Sequence, residues 1–236
     1  MAAAWAQWDH VTKIEPDKAL HDGDTYTGIA DTGTDALILG GTTNVTETSV
    51  QSILDALSSA ETPIFVEPTY RPTNFHSDAL SGYLVPIVLN ADDPLWITGA
   101  HHEWVRTSDL DWDYVHPEAY IVLNPASSVA TYTQANCDLD GDDVVAYAEL
   151  AEQILDQKII YLEYSGTLGD PAVVAAARDS LSSARLFYGG GIHDYDSAFE
   201  MANVTDTVVV GNVLHEDGIE AVEETVRGAK DAQHTS

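Results

Sequence analysis

Positive charge is what this chain of 236 residues lacks: nine lysines and arginines stand against 39 aspartates and glutamates, a formal net charge of −30. Proteins that neutralise a phosphate backbone need clustered Lys and Arg. No such cluster exists here, so nucleic acid is excluded as a partner. Cysteine is almost absent as well. Cys137 stands alone, which rules out an intramolecular disulfide and fits a reducing, cytoplasmic setting. No run approaches the ~20 apolar residues of a membrane span. Residues 1–9 carry neither a cationic segment nor a sustained apolar one, so no signal peptide is read there.

What is present suffices for a core. Hydrophobic residues make up 44% of the chain, which argues against the disorder that acidity alone would predict. Surface carboxylates at this density repel one another, and at molar salt the Debye length falls to about 3 Å. The composition therefore reads as an adaptation to high salt. Low salt should unmask the repulsion and weaken the fold.

Eight short apolar runs punctuate the chain, at residues 10–14, 36–39, 63–66, 83–89, 120–123, 159–162, 185–188 and 207–210. They are near-continuous rather than alternating, as in strands buried on both faces. Helical spacing appears over residues 49–57, 144–155, 171–181 and 219–230. Asp170-Pro171 reads as an N-cap followed by proline at the first helical position. Strands alternating with helices in this length predict an α/β fold, one (β/α)8 TIM-barrel domain over residues 1–236. Residues 68–74 hold two prolines and no helical period, so the third helix is expected to be missing or replaced by a loop.

Barrels of this kind act at the C-terminal ends of their strands and often hold phosphate after strands seven and eight. Two glycine turns fall there, Gly189-Gly190-Gly191 and Gly211-Asn212. Glycine lets backbone N–H groups approach an anion, and a following helix N-terminus adds its dipole. Either turn alone is equally well an ordinary turn; the pair at this place argues for phosphate. Lys13 lies near the end of strand one, at the same mouth. In a chain so poor in cations it reads as a point charge for phosphate rather than a snorkelling strand-end lysine.

The sixth run delivers Glu163 into the turn Tyr164-Ser165-Gly166. A carboxylate at the end of a buried strand needs a partner, and Glu163 is the catalytic-looking carboxylate of the chain. Glu15 and Asp17 follow Lys13, and Thr42 follows Gly40-Gly41. Such oxygen donors on neighbouring loops suit Mg²⁺, although acidic residues are everywhere in this chain. Residues 138–143 superficially resemble a calcium loop, but the glycine is misplaced and no closing glutamate arrives. They read as an acidic turn with an N-cap. His101 and His102 are adjacent and cannot share a helical face, and Ser165 has no His/Asp partnership of a hydrolase triad.

The segments HVTKIEPDK, GGTTNVTE, YLEYSGTLGDP, FYGGGI and VVVGN occur in this order along essentially the whole chain. Together they resemble the geranylgeranylglyceryl phosphate synthase family of archaea, relatives of bacterial heptaprenylglyceryl phosphate synthase. That family is a modified barrel without its third helix. The resemblance implies a Mg²⁺-dependent prenyltransferase. It would join the C3 hydroxyl of sn-glycerol-1-phosphate to geranylgeranyl diphosphate, releasing diphosphate and forming the first ether bond of archaeal lipids. By matched motif, Lys13, Tyr161, Leu162, Glu163, Tyr164, Ser165, Gly166, Gly191, Gly211 and Asn212 would contact glycerol phosphate. Glu163 would take the hydroxyl proton, and Glu15 and Thr42 would hold Mg²⁺. The family often has Asp and Ser at those last two positions; the longer Glu15 must fold back or bind through water.

Trp104 lies in the helix expected after strand four over residues 93–104; the resemblance implies that it closes the prenyl groove and limits chain length, against the blander reading of a core or interface tryptophan. The resemblance also implies a homodimer. A lipid product implies transient membrane association, although so acidic a surface is repelled by anionic headgroups unless salt screens it. Two other readings share the phosphate site: a phosphosugar isomerase or lyase, and a catalytically silent phosphate-binding barrel.

Overall fold

The computed structural model describes residues 4–68, 75 and 77–233. Eight parallel strands close on themselves in sequence order: β1 (His10–Ile14), β2 (Ala36–Leu39), β3 (Ile64–Val66), β4 (Leu80–Val88), β5 (Val115–Val122), β6 (Ile159–Glu163), β7 (Arg185–Gly189) and β8 (Thr207–Val210). The barrel expected from the sequence is therefore the fold. The helices are α1 (Tyr26–Ala30), α2 (Glu47–Ala56), α3 (Gly99–Thr107), α4 (Ser128–Thr133), α5 (Gly141–Glu149), α6 (Pro171–Ser180), α7 (Tyr195–Ala202), α8 (Asn212–Glu216) and α9 (Ile219–Gln233). The segment 68–74, on which the expected loss of a helix rests, lies outside the described residues except for Pro68; the described residues between β3 and β4 carry no helix.

Two boundaries differ from the sequence reading. The helix expected over 144–155 is α-helical only to Glu149 and then widens into a π-helical turn, Leu150–Ile154. The segment after β4 is a short 3₁₀ turn, Pro94–Trp96, followed by a separate helix α3, because Asp93 caps the first turn at Leu95. The acidic turn reading of residues 138–143 holds: Asp140 caps α5 and exchanges hydrogen bonds with Asp143 in a capping box. Asp170 likewise caps α6 with proline at its start.

Alternation along each strand builds two apolar layers. Ile14, Leu37, Leu39, Ile121, Leu162 and Tyr188 face outward under the helices. Val11, Ile38, Phe65, Tyr120, Tyr161 and Phe187 face inward and fill the barrel. The N-terminal end is sealed by Trp8. Its ring meets Phe65 edge-on at 5.0 Å and lies 6.2 Å from Phe187. Arg185 Nη2 donates to the carbonyls of Trp8 and Asp206 at 2.6 and 2.9 Å, tying the seal to the sheet.

The π-helical turn places one carboxylate where backbone donors converge. Glu152 Oε1 accepts from Ser183 N–H at 2.6 Å, Ala184 N–H at 2.7 Å and the Ser183 hydroxyl at 3.1 Å. Oε2 accepts from Ser182 N–H at 2.9 Å. Burial opposes the charge, but these donors outweigh it and pull the Glu152 pKa down to about 2. The carboxylate thus stitches the end of α5 to the loop entering β7.

Candidate active site

A cavity of about 400 Å³ opens at the C-terminal ends of the strands. Its floor is ionic. Lys13 Nζ donates to Glu67 Oε2 at 2.6 Å, and the Tyr120 hydroxyl lies 3.5 Å from the same nitrogen. Tyr120 donates in turn to Glu163 Oε2 at 2.7 Å. Glu163 Oε1 accepts from the Ser165 N–H at 2.7 Å and the Ser165 hydroxyl at 2.6 Å. The strand that ends at Glu163 thus turns at once into the residue that holds its carboxylate.

One ammonium faces several carboxyls. Burial opposes the Lys13 charge, but Glu67, Glu163 and Glu118 outweigh it and push its pKa up, so Lys13 stays protonated. Burial raises the Glu67 pKa against the pull of Lys13. Glu118, on the inner face of β5, is fully buried with no hydrogen-bond partner on either oxygen. Burial and then the nearby Glu67 drive its pKa well up, which favours the neutral acid under the floor. This is the low-cost state for a carboxyl that cannot be paired.

The glycine turns form the rim on one side. Gly191 has φ +65°, and a Cβ there would lie 2.2 Å from Leu168 N, so only glycine lets the β6 and β7 loops close on each other. Tyr188 locks that contact, accepting from Gly169 N–H at 2.7 Å and donating to Gly190 O at 3.0 Å. The helix dipole expected after β7 is not free for an anion, because Asp194 and Ser197 close the start of α7 in a capping box. After β8, Gly211 precedes α8 without any side-chain cap.

Of the residues expected at the site, Lys13, Glu15, Thr42, Trp104, Tyr161, Glu163, Ser165, Gly166, Gly191, Gly211 and Asn212 all line the cavity. Leu162 and Tyr164 do not. Strand alternation turns Leu162 outward into the layer under the helices, and Tyr164 packs on Tyr188 at 5.7 Å. Ser165 directs both its polar donors at Glu163. The sequence reading missed Tyr120, Glu67 and Glu118. Glu67 carries the same signal as Glu163, an apolar strand ending in a glutamate. Tyr120 and Glu118 sit at alternate inward positions of a strand that starts five residues earlier than the apolar run, at Val115 rather than 120.

Away from the ionic floor the wall is apolar. Val85, Pro86, Val88, Trp96 and Ala100 line it together with Trp104. Trp104 is 3% exposed and meets Tyr83 edge-on at 5.4 Å. His101 Nε2 pairs with Pro86 O at 2.8 Å, fixing α3 against β4.

Oxygen donors gather at the loop after β1. A Cβ on Gly41 would lie 3.7 Å from Asp17 Oδ1 and 3.9 Å from Glu15 Cγ, so both acids border the turn that carries Thr42. Two carboxylates and a hydroxyl match the hard, partly hydrated coordination of Mg²⁺. Among the described residues no group of three or more His, Cys, Asp and Glu is arranged to hold a metal. Glu15 is engaged by Lys18 at 2.6 Å, and Lys18 also reaches Asn212 Oδ1 at 3.3 Å. A cation there would have to displace Lys18 from Glu15.

A mouth with this chemistry makes the chain a (β/α)8-barrel enzyme working at its strand C-termini. Residues 3–230 match the model of the PcrB family, and the chain belongs to that family. It is 56% identical over 233 residues to a geranylgeranylglyceryl phosphate synthase of Halobacterium salinarum, covering 99% of each chain. A protein of the same name from Natronomonas pharaonis is 54% identical, with 98% of this chain and 99% of the relative covered. Among solved structures, (S)-3-O-geranylgeranylglyceryl phosphate synthase from Thermoplasma acidophilum, in complex with sn-glycerol-1-phosphate, shares the fold. The TM-score is 0.79 at 20% identity, covering 97% of this chain and 95% of that one.

Proposed function

We propose that this chain is a prenyltransferase that joins the C3 hydroxyl of sn-glycerol-1-phosphate to geranylgeranyl diphosphate and releases diphosphate. The observation that carries it is one cavity with an ionic floor and glycine turns on one side and an apolar, tryptophan-bearing wall on the other. A phosphorylated polyol and a hydrocarbon tail each find matching chemistry there. The names of relatives matched over nearly the whole chain, and the sn-glycerol-1-phosphate held by the Thermoplasma structure, support the same reading.

In this reading the phosphate of glycerol phosphate lies against Gly191 and Gly211, with Lys13 as its counter-charge. Glu67 holds Lys13 over the floor. Glu163, held by Ser165 and Tyr120, accepts the proton of the attacking hydroxyl. The apolar wall excludes water from the allylic carbon as it loses diphosphate. Glu15 and Thr42, with Asp17 beside them, would hold Mg²⁺, which supplies charge neutralisation for the departing diphosphate. We take the enzyme to act in the cytoplasm as a homodimer that touches the membrane transiently to deliver its lipid. Among the described residues no helix is long and apolar enough to cross a membrane.

The test is transfer from labelled geranylgeranyl diphosphate in molar KCl with Mg²⁺, offered sn-glycerol-1-phosphate and sn-glycerol-3-phosphate separately. Ether formation selective for the first is expected. No ether with either, from protein shown to be folded in that salt, would refute the proposal. Omitting Mg²⁺ with chelator present is expected to abolish transfer; undiminished transfer would remove the metal from the scheme.

A further inference from the structure

Tyr120 stands between the two charged elements of the floor. A carboxylate offers about four lone-pair positions. Among the described residues, Glu163 Oε1 receives two donors from Ser165, and Oε2 receives only the Tyr120 hydroxyl. The one acceptor position left is on Oε2. A proton taken from substrate must arrive there, beside the tyrosine O–H.

The rest of the barrel keeps that hydroxyl in place. The Tyr120 ring stacks on Tyr161 with centroids 4.4 Å apart and planes 16° apart. The two residues are also direct partners in the β5–β6 register. Tyr161 is held in turn by Gly189, where a Cβ would come within 2.1 Å of its hydroxyl oxygen. Burial, and next the charge of Glu163, push the Tyr120 pKa well up, so the phenol keeps its proton and remains a donor. Lys13 Nζ approaches the same oxygen at 3.5 Å from the phosphate side.

We propose that Tyr120 is a positioning residue of the transfer step, aiming the last free lone pair of Glu163 Oε2 at the acceptor hydroxyl. The inference rests on the prenyltransferase reading. In that step the glycerol oxygen forms its bond to the allylic carbon as the carbon–oxygen bond to diphosphate breaks. Diphosphate leaves with the electron pair, and the hydroxyl proton passes to Glu163 Oε2. Without the tyrosine O–H the carboxylate pivots about its Ser165 anchor. The hydroxyl then reacts late, and water competes for the allylic carbon.

The experiment compares wild type, Tyr120→Phe and Glu163→Gln, measuring ether, prenyl alcohol and diphosphate in the same reactions. Tyr120→Phe keeps the stacked ring and is expected to lower kcat about 10- to 100-fold, the scale of a misaligned base. KM for sn-glycerol-1-phosphate should stay within about twofold, as for an interaction made only in the transition state. Diphosphate release should exceed ether, with prenyl alcohol making up the difference. Unchanged kcat, a loss confined to KM, or one diphosphate per ether in the variant would overturn the proposal. Should Tyr120→Phe fail to fold, 3-fluorotyrosine at 120 preserves the shape and strengthens the donor. A stronger donor makes Oε2 a weaker base, so kcat should fall with the fold intact, and an unchanged kcat would likewise overturn the proposal. If wild type itself makes no ether, the prenyltransferase reading fails. If wild type makes ether and Tyr120→Phe matches it, only the role of Tyr120 falls.

Discussion

Glu152→Gln puts a number on the stitch between α5 and β7. The carboxylate is 7% exposed and takes four close donors from residues 182–184. Its folded pKa of about 2 against 4.5 for the free group corresponds to about 3 kcal/mol of stability. Because the folded value is the lower one, that stability is fully present above about pH 4.5 and drains away as pH falls towards 2. Glutamine keeps the shape but turns one oxygen into an NH₂ that faces the N–H of Ser182. We expect the variant to lose about 2–3 kcal/mol near neutral pH, lowering Tm by roughly 4–12 °C for a chain of this size. The assay is paired thermal unfolding of wild type and variant in molar KCl from pH 7 to 2.5. Titration of the other surface acids is common to both proteins and cancels in the difference. The gap should narrow below about pH 4.5 and shrink to about a quarter of its neutral value by pH 2.5. A gap independent of pH, or smaller than about 0.5 kcal/mol at neutral pH, would refute the assignment.

Four further outcomes are expected. Glu163→Gln should abolish ether formation while leaving calorimetric binding of sn-glycerol-1-phosphate in place; near-normal turnover would remove Glu163 as the base. Trp104→Ala should admit longer prenyl diphosphates, read as the product ratio in mixed-donor reactions, at a cost of about 3–5 kcal/mol in stability; an unchanged ratio would assign Trp104 to packing alone. Gly189→Ala should cost about 1–3 kcal/mol and depress kcat, because the new methyl displaces Tyr161 and with it Tyr120; wild-type Tm and kcat together would contradict the wedge. Raising KCl from about 0.1 to 1 M shortens the Debye length from ~10 to ~3 Å and should raise Tm; a midpoint indifferent to KCl would contradict a salt-screened surface.

The strands announced themselves because burial on both faces demands continuous apolar runs, and all eight lie where those runs fall. β4 and β5 begin earlier than their runs because their first turns carry Ser81, Gly82, His116 and Glu118, residues that no apolar pattern includes. The same blind spot hid the site's lower half. Glu118 and Tyr120 are inward residues whose role comes from what stands across the barrel, and closure of the sheet is not a local property of sequence. Glu163 was legible because a carboxylate ending a buried strand is costly unless held. That Ser165 holds it, two residues on, follows from the turn's geometry and not from its composition. Helix boundaries were least legible where a tertiary contact set them, as where Glu152 reaches from the π-helical turn to residues 182–184.

The plug made by Trp8, Phe65 and Phe187 closes the N-terminal end of the barrel, opposite the mouth. In the proposed reading, what reaches Lys13 comes down through the mouth, which the apolar wall also lines, and leaves the same way. Such traffic is last in, first out. In the proposed reading glycerol phosphate would settle at the bottom before the tail is laid above it, and the joined product would be drawn out by its tail. The closed end of the barrel thereby sets a sequence of events at the open one.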